Sequence, residues 1–109
     1  MSMKNATGKG TLAIGYRDEA GTCHKDFEMR LPTLEDIEEA IADAGEGACQ
    51  ARVSRHVWAR TITRLGTLPA EAIDASLLAG LADVEYGRFA DVEASIRKKL
   101  LAESESSGS

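Results

Sequence analysis

Thr11-Leu12-Ala13-Ile14-Gly15-Tyr16-Arg17, a loop of Asp18-Glu19-Ala20-Gly21, and, after Thr22, Cys23-His24-Lys25-Asp26-Phe27-Glu28-Met29-Arg30-Leu31 together form the stretch whose reading decides the fold. Leu12, Ile14 and Tyr16 alternate with Thr11, Ala13 and Arg17. Beyond the loop, Cys23, Phe27, Met29 and Leu31 alternate with His24, Asp26, Glu28 and Arg30, and only Lys25 breaks the pattern. Period-2 patterning on both sides of a short loop ending in Gly predicts an antiparallel β-hairpin with one apolar face. Pro32 closes the second strand, because it has no N–H for a ladder. A two-stranded hairpin is marginal alone, so its apolar face requires cover from helices or from another chain.

Helices follow. Thr33 reads as an N-cap with Asp36 at the capping-box position, and Leu34, Ile37, Ile41 and Ala44 recur at helical spacing. The other face is acidic, with Glu35, Asp36, Glu38, Glu39 and Asp43, until Gly45 and Gly47 end the helix. The next helix is predicted over residues 48–65, with Ala51, Trp58, Ile62 and Leu65 inward and Gly66 as its C-cap. Arg52 and Arg60 lie on its outer arc, flanked by Arg55 and Arg64. A short helix through Leu77, Leu78 and Leu81 follows the Leu68-Pro69 link. Asp83 is placed to cap a last helix with the stripe Tyr86, Phe89, Val92, Ile96 and Leu100, and with Arg97, Lys98 and Lys99 at its end. The order β-β-α-α-α-α is an α+β layout, an N-terminal antiparallel β-hairpin packed against about four α-helices. Residues 1–9 read as a disordered leader, 10–102 as a single domain, and 103–109, rich in Ser, Glu and Gly, as a disordered tail.

A chain of 109 residues suits one domain. With one Trp, two Tyr and two Phe its core must be mostly aliphatic, which predicts a modestly stable monomer or one completed by a partner. A net charge of -5 argues against nucleic acid as the main ligand, because phosphate neutralisation dominates that binding. Cys23 and Cys49 are too few for a disulfide framework. No signal-like run follows Lys4, and no stretch approaches the roughly 20 apolar residues of a membrane span. Cytoplasmic residence with free thiols is the expectation.

Gly8-Lys9-Gly10-Thr11 lacks the upstream Gly of a phosphate loop and leads into a strand, so a flexible leader is the better reading. Cys23, His24, Cys49 and His56 show none of the usual metal-ligand spacings, and Cys23 and His24 point to opposite strand faces. The same residues offer a Cys/His pair, but no Gly-rich turn is evident to supply an oxyanion hole. Most carboxylates lie on predicted solvent faces, where acidity stays ordinary. No enzyme, metal or cofactor is expected. Arg52, Arg55, Arg60 and Arg64 give the 48–65 helix enough charge for a DNA-binding regulator, the alternative reading. The long connection to a short apolar helix fits a helix-turn-helix poorly. A basic face for an acidic protein surface is preferred, with Trp58 either core or partner anchor. The hairpin edges offer places for a further strand and so allow oligomers.

Phe27-Glu28-Met29-Arg30-Leu31-Pro32-Thr33, Arg60-Thr61-Ile62-Thr63-Arg64-Leu65-Gly66, Leu68-Pro69-Ala70-Glu71-Ala72-Ile73 and Leu78-Ala79-Gly80-Leu81-Ala82-Asp83-Val84-Glu85-Tyr86 resemble the tail assembly chaperones of Mu-like and P2-like phages. The resemblance spans about residues 11–101. It rests on an order of elements with Leu, Gly and Pro landmarks and no catalytic set. It implies a non-enzymatic role in building a phage or prophage tail. Such proteins bind the tape measure protein, keep it soluble in the host cytoplasm and help bring tail tube protein to it. They are absent from the mature virion, and many are made with a frameshifted longer form of themselves. The resemblance implies a protein-binding surface, for which Arg52, Arg55, Trp58, Arg60, Arg64 and Phe89 are the candidates. Apolar grooves between helices, rimmed by charge, are what such a role requires.

Overall fold

In a computed structural model, which describes residues 6–107, strand β1 (Thr7–Arg17) pairs antiparallel with β2 (Cys23–Arg30). The turn between them is held by Asp18: its carbonyl accepts from Gly21 N at 2.9 Å and its carboxylate from Thr22 N at 2.9 Å. Helix α1 (Leu34–Ala44) begins at the expected capping box, where Thr33 Oγ1 accepts from Asp36 N at 3.2 Å and Thr33 N donates to Asp36 Oδ2 at 2.8 Å. Helix α2 (Gln50–Thr61) leads into β3 (Ile62–Leu65), β4 (Leu68–Pro69), a 3-10 turn (Ala70–Ala72), α3 (Ala75–Ala79) and α4 (Glu85–Ser107). The fold class is α+β, as the hairpin and helices predicted.

The sheet is larger than the hairpin, with four strands in the order β1-β2-β3-β4. The basic helix predicted over residues 48–65 stops at Thr61, and its last turn is replaced by strand. Thr61-Ile62-Thr63 is a β-branched run, which loses rotamer freedom in a helix and packs well in a sheet. Pairing with β2 at Phe27↔Leu65 and Met29↔Ile62 then decides the matter. Ile62 and Leu65 are buried as expected, but from a strand; Ala51, expected inward, is exposed. Gly66 caps no helix. It sits at φ 60 in the β3–β4 turn, where an added Cβ would fall 2.2 Å from His24 Nδ1.

Two expectations about the ends are corrected. Thr7, Gly8 and Lys9, assigned to a disordered leader, belong to β1, and the rest of that leader, residues 1–5, lies outside the described residues. The glycines here are spacers rather than signs of flexibility: a Cβ on Gly10 would lie 2.6 Å from Phe27 and Val92, and one on Gly8 2.8 Å from Ile96. Only glycine lets α4 approach β1 this closely. At the other end, α4 continues through Ser107, so residues 103–107 are helical where a disordered tail was expected. Residues 108–109 fall outside the described part.

The core lies between the sheet and the helices, and joins Leu12, Phe27 and Met29 of the hairpin to Ile62 and Leu65 of β3, Val57 and Trp58 of α2, Leu78 of α3, and Phe89 and Ile96 of α4. The hairpin alternation is interrupted. Thr11 pairs with Asp26 but Tyr16 pairs with His24, so β1 bulges between them, Ile14 turns outward and Leu12 stays buried. On β2 the reading of faces reverses at its start: His24 is buried and Cys23 exposed. His24 Nδ1 accepts from Thr67 N at 3.3 Å, which leaves Nε2–H to donate to Asp18 Oδ2 at 2.9 Å. The imidazole thereby pins the β3–β4 turn to the β1–β2 turn.

Candidate functional site

An open groove of about 740 Å³ runs between α2, α3 and the start of α4. Its floor is apolar, formed by Trp58, Leu78, Leu81, Ala82 and Phe89; Arg52, Arg55, Cys49, Asp83 and Tyr86 stand around it. The floor is built by an aromatic ladder. Phe27 meets Phe89 edge-on with centroids 4.9 Å apart, Phe89 meets Trp58 at 5.3 Å, and Trp58 meets Tyr86 at 4.8 Å. The ladder leads from the sheet to the exposed Tyr86 at the groove's lip, so rigid surface at the site is continuous with the core. Trp58 Nε1 donates to Glu93 Oε1 at 3.1 Å and Tyr86 Oη shares a hydrogen bond with Ser54 Oγ at 3.1 Å. Trp58 is therefore a core residue that also forms part of the groove floor.

The sequence-predicted site residues divide. Arg52, Arg55, Trp58 and Phe89 line the groove. Arg55 is held over it by a hydrogen bond from its guanidinium to Ala75 O at 3.1 Å, across to the start of α3. Arg60 and Arg64 are elsewhere. Arg60 Nε bonds Asp36 Oδ1 at 3.1 Å, and Arg64, on β3 rather than on the helix, donates to Gly66 O at 3.0 Å. The four arginines do not form a single rim: Arg60, still on α2, is turned to Asp36 of α1, and Arg64 lies beyond Thr61, where the chain leaves the helix. Sequence reasoning passed over Leu78, Leu81 and Tyr86 as site residues. For the leucines a signal was present: a helix of only five residues followed at once by Leu81 cannot bury Leu77, Leu78 and Leu81 alike, and some must line a surface.

Two ionisable groups at the groove have special surroundings. Cys49 is the N-cap residue of α2, and the helix amides at Arg52 and Ala51, with the Arg52 charge, hold its thiol below the ordinary range. His56 makes no hydrogen bond to it among the described residues. Glu85 is buried at the base of the groove, but its carboxylate faces away from it and into the β1 bulge, accepting from Ala13 N at 2.7 Å, Ile14 N at 2.9 Å and Gly15 N at 2.7 Å. Burial alone would raise its pKa; the three amides outweigh that and hold it below its ordinary value. A carboxylate held by three backbone amides acts as a structural anchor. Among the described residues no group of three His, Cys, Asp or Glu is placed to hold a metal ion, and no helix is long and apolar enough to cross a membrane.

The fold and groove thus define an α+β protein with an apolar, arginine-edged helical cleft. No family model, no curated protein and no solved structure matches the chain.

Proposed function

We propose that this chain is a phage or prophage tail assembly chaperone that acts in the host cytoplasm without catalysis, binding the tape measure protein and assisting assembly of the tail tube. The resemblance in element order motivates the reading, and the groove between α2, α3 and α4 is the observation that carries it. An amphipathic client helix anchors by residues at i, i+3, i+4 and i+7, and needs an elongated apolar cleft with polar edges. Trp58, Leu78, Leu81 and Phe89 supply the cleft, and Arg52 and Arg55 an edge suited to acidic residues beside the client's apolar stripe. Rim charges strengthen capture and are screened by salt, which suits a chaperone that must let go.

Co-expression with the tape measure protein encoded beside it should yield a soluble complex, and isolated client helices should shift the emission of Trp58, the single tryptophan. Arg52→Glu, at an exposed position, should weaken binding several-fold at about 50 mM salt and less at high salt. Leu81→Glu should abolish binding while leaving the circular dichroism native. Absence of any complex at low salt would end this reading.

A further inference from the structure

Helix α1 carries a wider apolar arc than the protein uses. At helical spacing Ala40, Ala44, Ile37, Ile41 and Leu34 fall on one contiguous third of its surface. Only the alanine side is buried. Leu34 is 83% exposed, Ile41 53% and Ile37 36%. The helix is turned this way by Asp36, which is buried to bond both Arg30, at 2.6 Å and 3.1 Å, and Arg60, at 3.1 Å. Drawing the carboxylate inward rolls the isoleucines out.

Part of this stripe lies beside Arg97 of α4. Leu34 and Ile37 share a depression with Pro32, Thr33 and Arg97, and one helical turn beyond Arg97, Leu101 is 59% exposed. The net charge differs in sign between the two halves of this surface. Outside the Asp36 cluster, α1 presents Glu35, Glu38, Glu39 and Asp43 and no base, whereas the turn leading to Leu101 presents Lys98 and Lys99 beside an Arg97 paired with Glu93 at 3.3 Å, and Glu105 follows one turn beyond Leu101. On the helix wheels Glu38 borders the Leu34–Ile37–Ile41 stripe, and Lys98 borders Leu101 on the side away from Arg97.

We propose that this face is the interface of a homodimer, in which the Leu34–Ile37–Ile41 stripe of each copy lies against the Leu101 end of α4 in the other, with Glu38 opposite Lys98 twice. A two-fold axis brings the acidic half of one copy onto the basic half of its partner, so a second copy satisfies both halves at once. Two short helical faces make a small interface, and the dimer is accordingly of micromolar class. The surface shares no residue with the groove lined by Trp58 and Phe89, so this inference stands apart from the chaperone reading.

Sedimentation equilibrium of the full chain at about 100 µM should show dimer, since a micromolar constant is then exceeded many-fold. Ile37→Gln with Ile41→Gln, at positions already exposed, should weaken association at least tenfold with unchanged circular dichroism. Glu38→Lys should weaken it several-fold, and adding Lys98→Glu should restore it. A monomer at every concentration would overturn the proposal. So would a dimer indifferent to Ile37 and Ile41, or a charge reversal that its counterpart fails to rescue.

Discussion

Asp36 shows how much one side chain can decide. Its position in the capping box was legible, because Thr-x-x-Asp ahead of an apolar run has a local mechanism. That it would be buried was not, since Arg30 and Arg60 reach it from six and twenty-four residues away. Hydrogen bonds from Arg30 above all, with those from Thr33 and Arg60, hold its pKa far below the ordinary 3.8 against the opposing effect of burial. A folded-state pKa lower than the unfolded one means that the unfolded chain binds the extra proton. The stabilisation is therefore complete above the unfolded pKa of about 4 and is lost as pH falls below it. Asp36→Asn should lower unfolding free energy at pH 7 by about 3 kcal/mol, as removing one partner of a buried ion pair does. Urea titrations from pH 7 to 3 should show the difference between variant and parent shrinking toward acid; a constant difference would mean the charge is irrelevant. Solvent at the two half-buried arginines places the loss toward the smaller end of that class.

Among the elements, β1 and α4 form the joint that the chain pattern concealed. Alternation predicted β1 well from Thr11 to Leu12 and again at Tyr16, but the bulge between them has no sequence mark beyond Gly15. Glu85, seventy residues on, gives the bulge its reason by collecting the three amides that the ladder leaves unpaired. Glu85→Gln keeps the shape but replaces one acceptor oxygen with a donor aimed at backbone N–H groups. It should cost about 2 kcal/mol, within the range for orphaned buried donors. Hydrogen exchange should quicken at Ala13, Ile14 and Gly15 specifically. Uniform quickening across the sheet would instead report a global loss. The same limit explains β3. A strand of four residues inside an arginine-rich helical pattern is decided by an open edge on β2, which no local window contains.

Across the whole molecule, the longest axis, 51 Å against 32 and 23 Å, reflects the length of α4. Among the described residues, the apolar side chains that α4 packs on the core end with Ile96 and the half-buried Leu100. Removing residues 105–109 should reduce the helical signal at 222 nm yet change unfolding free energy by less than about 0.5 kcal/mol, the scale of changes away from a core. A larger loss would show that the last turns support the domain. The truncation retains Leu101 and Lys98, so dimerisation should survive it.

By itself the sequence determined the hairpin, the α1 cap, the stripe of α4 from Phe89 to Leu100 and the mostly aliphatic core. These depend on periodicity and capping, which act within a few residues. Four of the six candidate residues line one groove, because Arg52, Arg55 and Trp58 share one helix and Phe89 packs against the tryptophan. Tertiary structure alone decided that residues 62–65 are strand, that Arg60 and Arg64 leave the site, that Gly8 and Gly10 serve packing, and that α1 turns its isoleucines to the surface. Each of those outcomes depends on a partner distant in the chain, a free strand edge, a buried carboxylate or an approaching helix, and such partners exist only once the chain has folded.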